Sequence, residues 1–113
     1  MPKRLLCVSY DSALLRMRVM LLQEAGYEVV AADSFSRATA SRETRGSRFD
    51  LVILGRSIPF YDRERLVAHF RQTCRAPIVA LLLGHEAPIP GVARSLASDE
   101  PGDLLQAVRE LLA

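Results

Sequence analysis

The sequence predicts an α/β domain built on a doubly wound, five-stranded parallel sheet in the order 2-1-3-4-5. Three observations carry that prediction. Short apolar runs alternate with amphipathic stretches along the whole chain, the rhythm of strand–helix units joined by right-handed crossovers. Three of the runs, Arg4-Leu-Leu-Cys-Val8, Leu51-Val-Ile-Leu54 and Ile78 to Leu83, are apolar at successive positions, so both faces of those strands are covered. The chain has 113 residues, enough for one domain with a real core and no need of a disulfide or metal staple.

The elements follow in order. Residues 4–8 form a buried strand. Asp11 or Ser12 caps a helix that runs to about Ala25, where Gly26 stops it. Tyr27–Ala31, aromatic and β-branched, is a short edge strand. Asp33 or Ser34 opens a second helix ending near Gly46. Phe49–Leu54 is the third strand and lies in the sheet centre. After Pro59 a third helix spans about Asp62 to Cys74, with Leu66, Val67 and Phe70 on its apolar face. Pro77 introduces the fourth strand, Ile78–Leu83. Pro88 and Pro90 make a regular helix improbable over 84–91, so the helix expected after the fourth strand is reduced or absent. Val92–Ala97 is a short fifth strand at the other edge. Asp103–Leu112 is the last helix, with Pro101 near its first turn.

Composition narrows the functional classes. Half the residues are apolar, a quarter are charged and the net charge is +2, as in ordinary soluble domains. No apolar run approaches a membrane span. No signal-peptide pattern precedes the first strand, which points to the cytoplasm. The chain shows no repeats and no linker, and its limits suggest a stand-alone domain, residues 1–113. Arg37, Arg42, Arg45 and Arg48 cluster, but acidic residues are interleaved and no aromatic residue stands among them. They read as a solvated helix face and not as a nucleic-acid surface. Cys7 and Cys74 read as reduced core thiols. His69 and His85 stand apart from any ligand partner.

In an open parallel sheet, ligands bind beyond the carboxyl ends of the strands where strand order reverses. The lining of that crevice is readable: Ser9-Tyr10-Asp11, Gly55-Arg56-Ser57, Leu82-Leu83-Gly84 and Ser98-Asp99.

Three segments, in order and at matching spacings, resemble the response-regulator receiver domain, a flavodoxin-like fold. They are Leu5–Leu15 closing on Gly26-Tyr27, Phe49–Leu54 followed by Gly55-Arg-Ser-Ile-Pro59 and Asp62, and Ala76–Leu81. The resemblance implies a phosphoryl-accepting aspartate after the third strand, where this chain has Gly55. It implies an acidic pair for Mg²⁺ after the first strand, where this chain has Ser9 and Tyr10. It implies a Ser or Thr after the fourth strand and a lysine after the fifth; here stand Leu82 and Ser98. The position of the aromatic switch residue falls on Ser95. A glycine supplies no nucleophile, and a hydroxyl and a phenol are poor ligands for a hard divalent cation. The reading is therefore a degenerate phospho-acceptor pocket with no catalytic, metal or cofactor residue. The function expected is a phosphorylation-independent receiver-like module of the two-component phosphorelay type, not an enzyme. It would act by binding a protein, a kinase or an output protein.

The alternative is a small anion or nucleotide binder using the crevice, with Arg56 and Ser57 as anion contacts. No Gly-rich phosphate fingerprint follows the first strand. One residue fits neither reading easily. Arg18 lies inside the apolar arc of the first helix, among Leu14, Met17, Leu21, Leu22 and Ala25. The simpler expectation is a side chain that snorkels to the helix flank. The sharper one is a buried cation with an acidic partner, or a contact surface.

Overall fold

In the computed structural model, residues 2–41, 48–98 and 100–113 are described. The strands are β1 (Arg4–Val8), β2 (Glu28–Ala32), β3 (Leu51–Leu54), β4 (Ile78–Leu81) and β5 (Arg94–Leu96). The helices are α1 (Ser12–Glu24), α2 (Phe35–Ala40), α3 (Phe60–Thr73) and α4 (Pro101–Leu112). All strands run parallel in the order β2-β1-β3-β4-β5, as the apolar runs predict. β1, β3 and β4 are buried almost throughout, while β2 and β5 are half-exposed edges.

Side-chain alternation splits the core in two. Leu6, Val8, Val52, Leu54, Ile78 and Ala80 pack against Ala38 of α2 and Leu66, Val67 and Phe70 of α3. Leu5, Cys7, Leu51, Ile53, Val79 and Leu81 pack against Leu15 and Leu22 of α1 and Leu104 and Val108 of α4. Each strand thus feeds both layers.

Local chemistry sets the element ends. Asp11 caps α1, its side chain accepting from the Leu14 N–H at 3.0 Å. Gly26, at φ +97°, closes that helix; its N–H donates to Gln23 O, and the Tyr27 N–H to Leu22 O. Asp50 fastens the other end of the sheet: its carboxylate accepts from the Arg4 N–H at 2.7 Å and its own N–H donates to Arg4 O at 2.7 Å.

Several boundaries differ from the sequence expectation. α2 stops at Ala40 instead of running toward Gly46, because Ser41 turns extended and its hydroxyl bonds back to Arg37 O at 2.7 Å. The remainder of that expected helix, with Arg42 and Arg45, lies outside the described residues, as does Asp99. α3 begins at Phe60, two residues early, because Pro59 takes the cap position and Asp62 favours the first turn. α4 likewise begins two residues early, with Pro101 itself at its start. β3, β4 and β5 are each shorter than expected, and β2 is shifted by one residue.

No helix joins β4 to β5. Residues 82–93 form turns, as the two prolines require, and Ile89 fills the core there, buried in the α2/α3 layer. Gly91 takes φ +86°, which a side chain rarely adopts. Among the described residues, no helix is long and apolar enough to cross a membrane.

Candidate functional site

The crevice beyond the strand ends is the expected site, and there the side chains of Ser9, Tyr10, Ser57 and Ser98 are already hydrogen-bonded. Ser9 is fully buried. Its hydroxyl donates to Asp11 O at 3.2 Å and lies 3.1 Å from Ser57 Oγ. Ser57 Oγ in turn accepts from the Asp11 N–H at 3.2 Å. The three residues tie the loop after β1 to the loop after β3. Ser57 is therefore a loop clasp, its hydroxyl bonded to Ser9 and to the Asp11 backbone.

Tyr10 turns sideways. Its hydroxyl donates to Asp62 Oδ2 at 2.9 Å, and its ring packs against the α2/α3 core. Burial, and then the hydrogen bond to Asp62, push the phenol up to about 12. Asp62 also lies 3.8 Å from Arg65.

Gly55 follows β3 directly, and its N–H donates to Val8 O at 2.8 Å. A β-carbon added there would stand 2.9 Å from Arg18 Nη1, 3.0 Å from Val8 O and 3.2 Å from Ser9 Cβ. The space that an acidic side chain would need is taken by a guanidinium from α1 and by the neighbouring strand.

Arg18 does not snorkel, which corrects the simpler sequence expectation. It is 7% exposed, with Nη1 buried and lacking a hydrogen-bond partner. The acidic partner of the sharper expectation is not found among the described residues either. Burial holds its pKa below the ordinary value; Cys7 and Asp11 raise it and Arg56 lowers it further. An arginine nonetheless stays charged at neutral pH. Arg18 sits on the core face of α1 because Leu15 and Leu22 flank it by one turn, and because Gly55 leaves room for it.

Leu82, Ser98 and Ser95 are spent in the same way. Leu82 is buried in the apolar cluster, and its N–H donates to Leu96 O at 2.8 Å. The Ser98 hydroxyl donates to Asp103 and accepts from the Glu100 N–H, forming the entry to α4. Ser95 Oγ accepts from the Ile89 N–H at 3.3 Å, so the switch position anchors the β4–β5 connection.

No group of three His, Cys, Asp or Glu among the described residues could hold a metal. A Mg²⁺ ion does not fit this site: Asp11 is a helix cap, Asp62 is bonded to Tyr10, and a buried cation already sits at Gly55.

Arg63 and Glu86 matter here, and sequence reading passed over both. Arg63 is 2% exposed. Its Nη1 donates to Leu81 O at 3.0 Å, and its Nη2 pairs with the Glu86 carboxylate. Glu86 Oε1 accepts from the Leu83 N–H. The Arg63 hydrogen bond comes first among the causes that hold the Glu86 carboxyl below the usual carboxylate range. The pair clamps the turn after β4 onto the start of α3. One signal was present in the sequence: Arg63 falls on the same helix face as Leu66, Val67 and Phe70.

Parallel order 2-1-3-4-5, two helices per face and a crevice at the β1/β3 strand ends together define the fold of response-regulator receiver domains. Solved structures similar to the chain include proteins of that kind. The chemotaxis protein CheY4 of Vibrio cholerae is 25% identical, with 99% of this chain and 100% of that chain covered and a TM-score of 0.81. The response regulator TrrA of Thermotoga maritima, solved with Mg²⁺ and BeF, is 24% identical over 97% of this chain and 99% of that one, with a TM-score of 0.81. A receiver domain protein of Methanospirillum hungatei is 23% identical over 99% and 94%, with a TM-score of 0.82. No protein-family model matches the sequence, and no curated protein matches it.

Proposed function

We propose that this chain is a phosphorylation-independent receiver module of the two-component type, which signals by binding a protein partner, a kinase or an output protein. The carrying observation is the Arg18 guanidinium beside Gly55. Phosphoryl transfer to a receiver needs a carboxylate nucleophile and a metal to offset charge. Among the described residues the nearby carboxylates are held elsewhere, Asp11 as the α1 cap and Asp62 by Tyr10, and a fixed cation stands in the acceptor's place.

The core and sheet order are kept while the reactive groups are gone, which leaves surface recognition as the use of the fold. Around the crevice, Phe60 and Tyr61 at the start of α3 and Leu83 after β4 are exposed, at 51%, 69% and 44%. Aromatic side chains of this kind anchor protein interfaces. The Arg63–Glu86 clamp holds the Leu83 turn without any phosphoryl group, so the rim is preformed.

The test is incubation with acetyl phosphate and with phosphoramidate in the presence of Mg²⁺, read by intact mass. The protein is expected to stay unmodified, and an aspartyl phosphate adduct would defeat the proposal. Pull-down with wild-type protein against a Phe60→Ala/Tyr61→Ala variant should show partners that only the wild type retains.

A further inference from the structure

The outer face of α1 is apolar where the fold does not cover it. Leu15, Arg18 and Leu22 turn inward, while Met17 and Met20 are 53% and 55% exposed. Ala13 and Gln23 are exposed on the same helix, and Leu14 and Leu21 are half-buried at its margin. Two flexible methionines one turn apart make an adaptable contact surface. They lie on the opposite side of the sheet from α3, which carries Phe60 and Tyr61.

The charges of that face are arranged about Met20. The exposed charged side chains of α1 are Arg16 and Glu24. Each is four residues from Met20, in opposite directions. Each therefore lies about 6 Å from it along the helix axis and about 40° round from it, one on either side. Among the described residues, neither side chain forms an ion pair or a hydrogen bond.

We infer that a second copy of this chain docks on this face, with the two α1 helices antiparallel about a two-fold axis at Met20. A two-fold interface must be self-complementary, and this stripe is. Turning it about Met20 sets Arg16 of each copy level with Glu24 of the other. Two equivalent ion pairs then flank a contact between the two Met20 side chains, with Met17 of each copy covered beside it. A parallel arrangement sets Arg16 against Arg16 and Glu24 against Glu24, so the charges select the antiparallel one. A face one helix wide is at the small end of specific interfaces, and the dimer is weak and reversible. Pairing through α1 leaves Phe60 and Tyr61 of both copies open. This association stands apart from the proposed signalling role, and either can fail without the other.

The experiment is sedimentation equilibrium of the intact chain from about 10 μM to 1 mM. The samples are wild type, Arg16→Glu, Glu24→Arg and an equimolar mixture of the two variants. Both side chains are exposed and unbonded, so each variant should show the circular dichroism of the wild type. Wild type is expected to dimerise reversibly. Each charge reversal puts like charges into both pairs and should weaken the dimer roughly tenfold or more. The mixture should dimerise again, because opposite charges then meet at both pairs. The inference is overturned by a wild type that stays monomeric throughout, as it would if this face served a different protein. It is overturned equally by a dimer that survives the charge reversals, or by a mixture that associates no better than its components.

Discussion

Arg18 Nη1 lies 2.9 Å from the point where a β-carbon on Gly55 would stand. The two residues are 37 positions apart and explain one another: the glycine makes the space, and the arginine fills it from the core face of α1. Either residue alone reads as a lapse from the receiver pattern. Together they form an interior arrangement that crowds any side chain at position 55.

Any side chain at position 55 should therefore destabilise the fold. Gly55→Ala is expected to cost about 1–3 kcal/mol, the usual range for overpacking, as measured by urea denaturation. Arg18→Met in the same background should recover part of that cost. It should not recover all, because Val8 O remains 3.0 Å from the new β-carbon.

Arg18→Met alone should stabilise the protein by about 1–3 kcal/mol, since it exchanges an unpaired buried cation for an apolar chain of similar length. A loss of stability would mean that Arg18 has a partner in solution, for example a bound anion carried through purification.

Breaking the Arg63–Glu86 clamp should be severe. Glu86→Ala leaves Arg63 buried without its counterion and is expected to cost about 3–5 kcal/mol. Because the Glu86 carboxyl is held below its ordinary range, its contribution is complete above the unfolded glutamate pKa. It fades as pH falls through the folded value. Acid denaturation of wild type and Glu86→Gln should converge at low pH and separate toward neutrality.

The Tyr10 phenol gives the opposite sign. Its pKa is raised to about 12, so its stabilising contribution is present below the unfolded value of about 10 and is lost as pH climbs through the folded one. Absorbance titration should show Tyr10 titrating late, and Asp62→Asn should lower its midpoint. Tyr10→Phe should cost about 0.5–1.5 kcal/mol.

Most of the architecture was legible because it rests on short-range signals. Doubly apolar strands placed β1, β3 and β4 at the centre, and Gly26, Pro88 and Pro90 marked a helix end and the lost helix. The bare position at the end of the third strand was legible because Gly55 sits one residue past an apolar run. What fills it was not. The direction taken by Arg18 depends on a contact between α1 and the end of β3, which no local pattern encodes. The bonds of Ser57 to Ser9 and Asp11 were hidden for the same reason, because they join two loops far apart in sequence. Arg63 betrayed itself only by lying on an apolar helix face, and its counterion stands 23 residues away.

The most direct test uses the single change that would restore an acceptor. Gly55→Asp should place a carboxylate against Arg18, forming an internal ion pair, while Asp11 stays committed to the Leu14 cap and Asp62 to Tyr10. Incubated with acetyl phosphate and Mg²⁺ and weighed by intact mass spectrometry, wild type and Gly55→Asp should both stay unphosphorylated. Efficient phosphorylation of the variant at position 55, or of the wild type at any aspartate, would contradict the account.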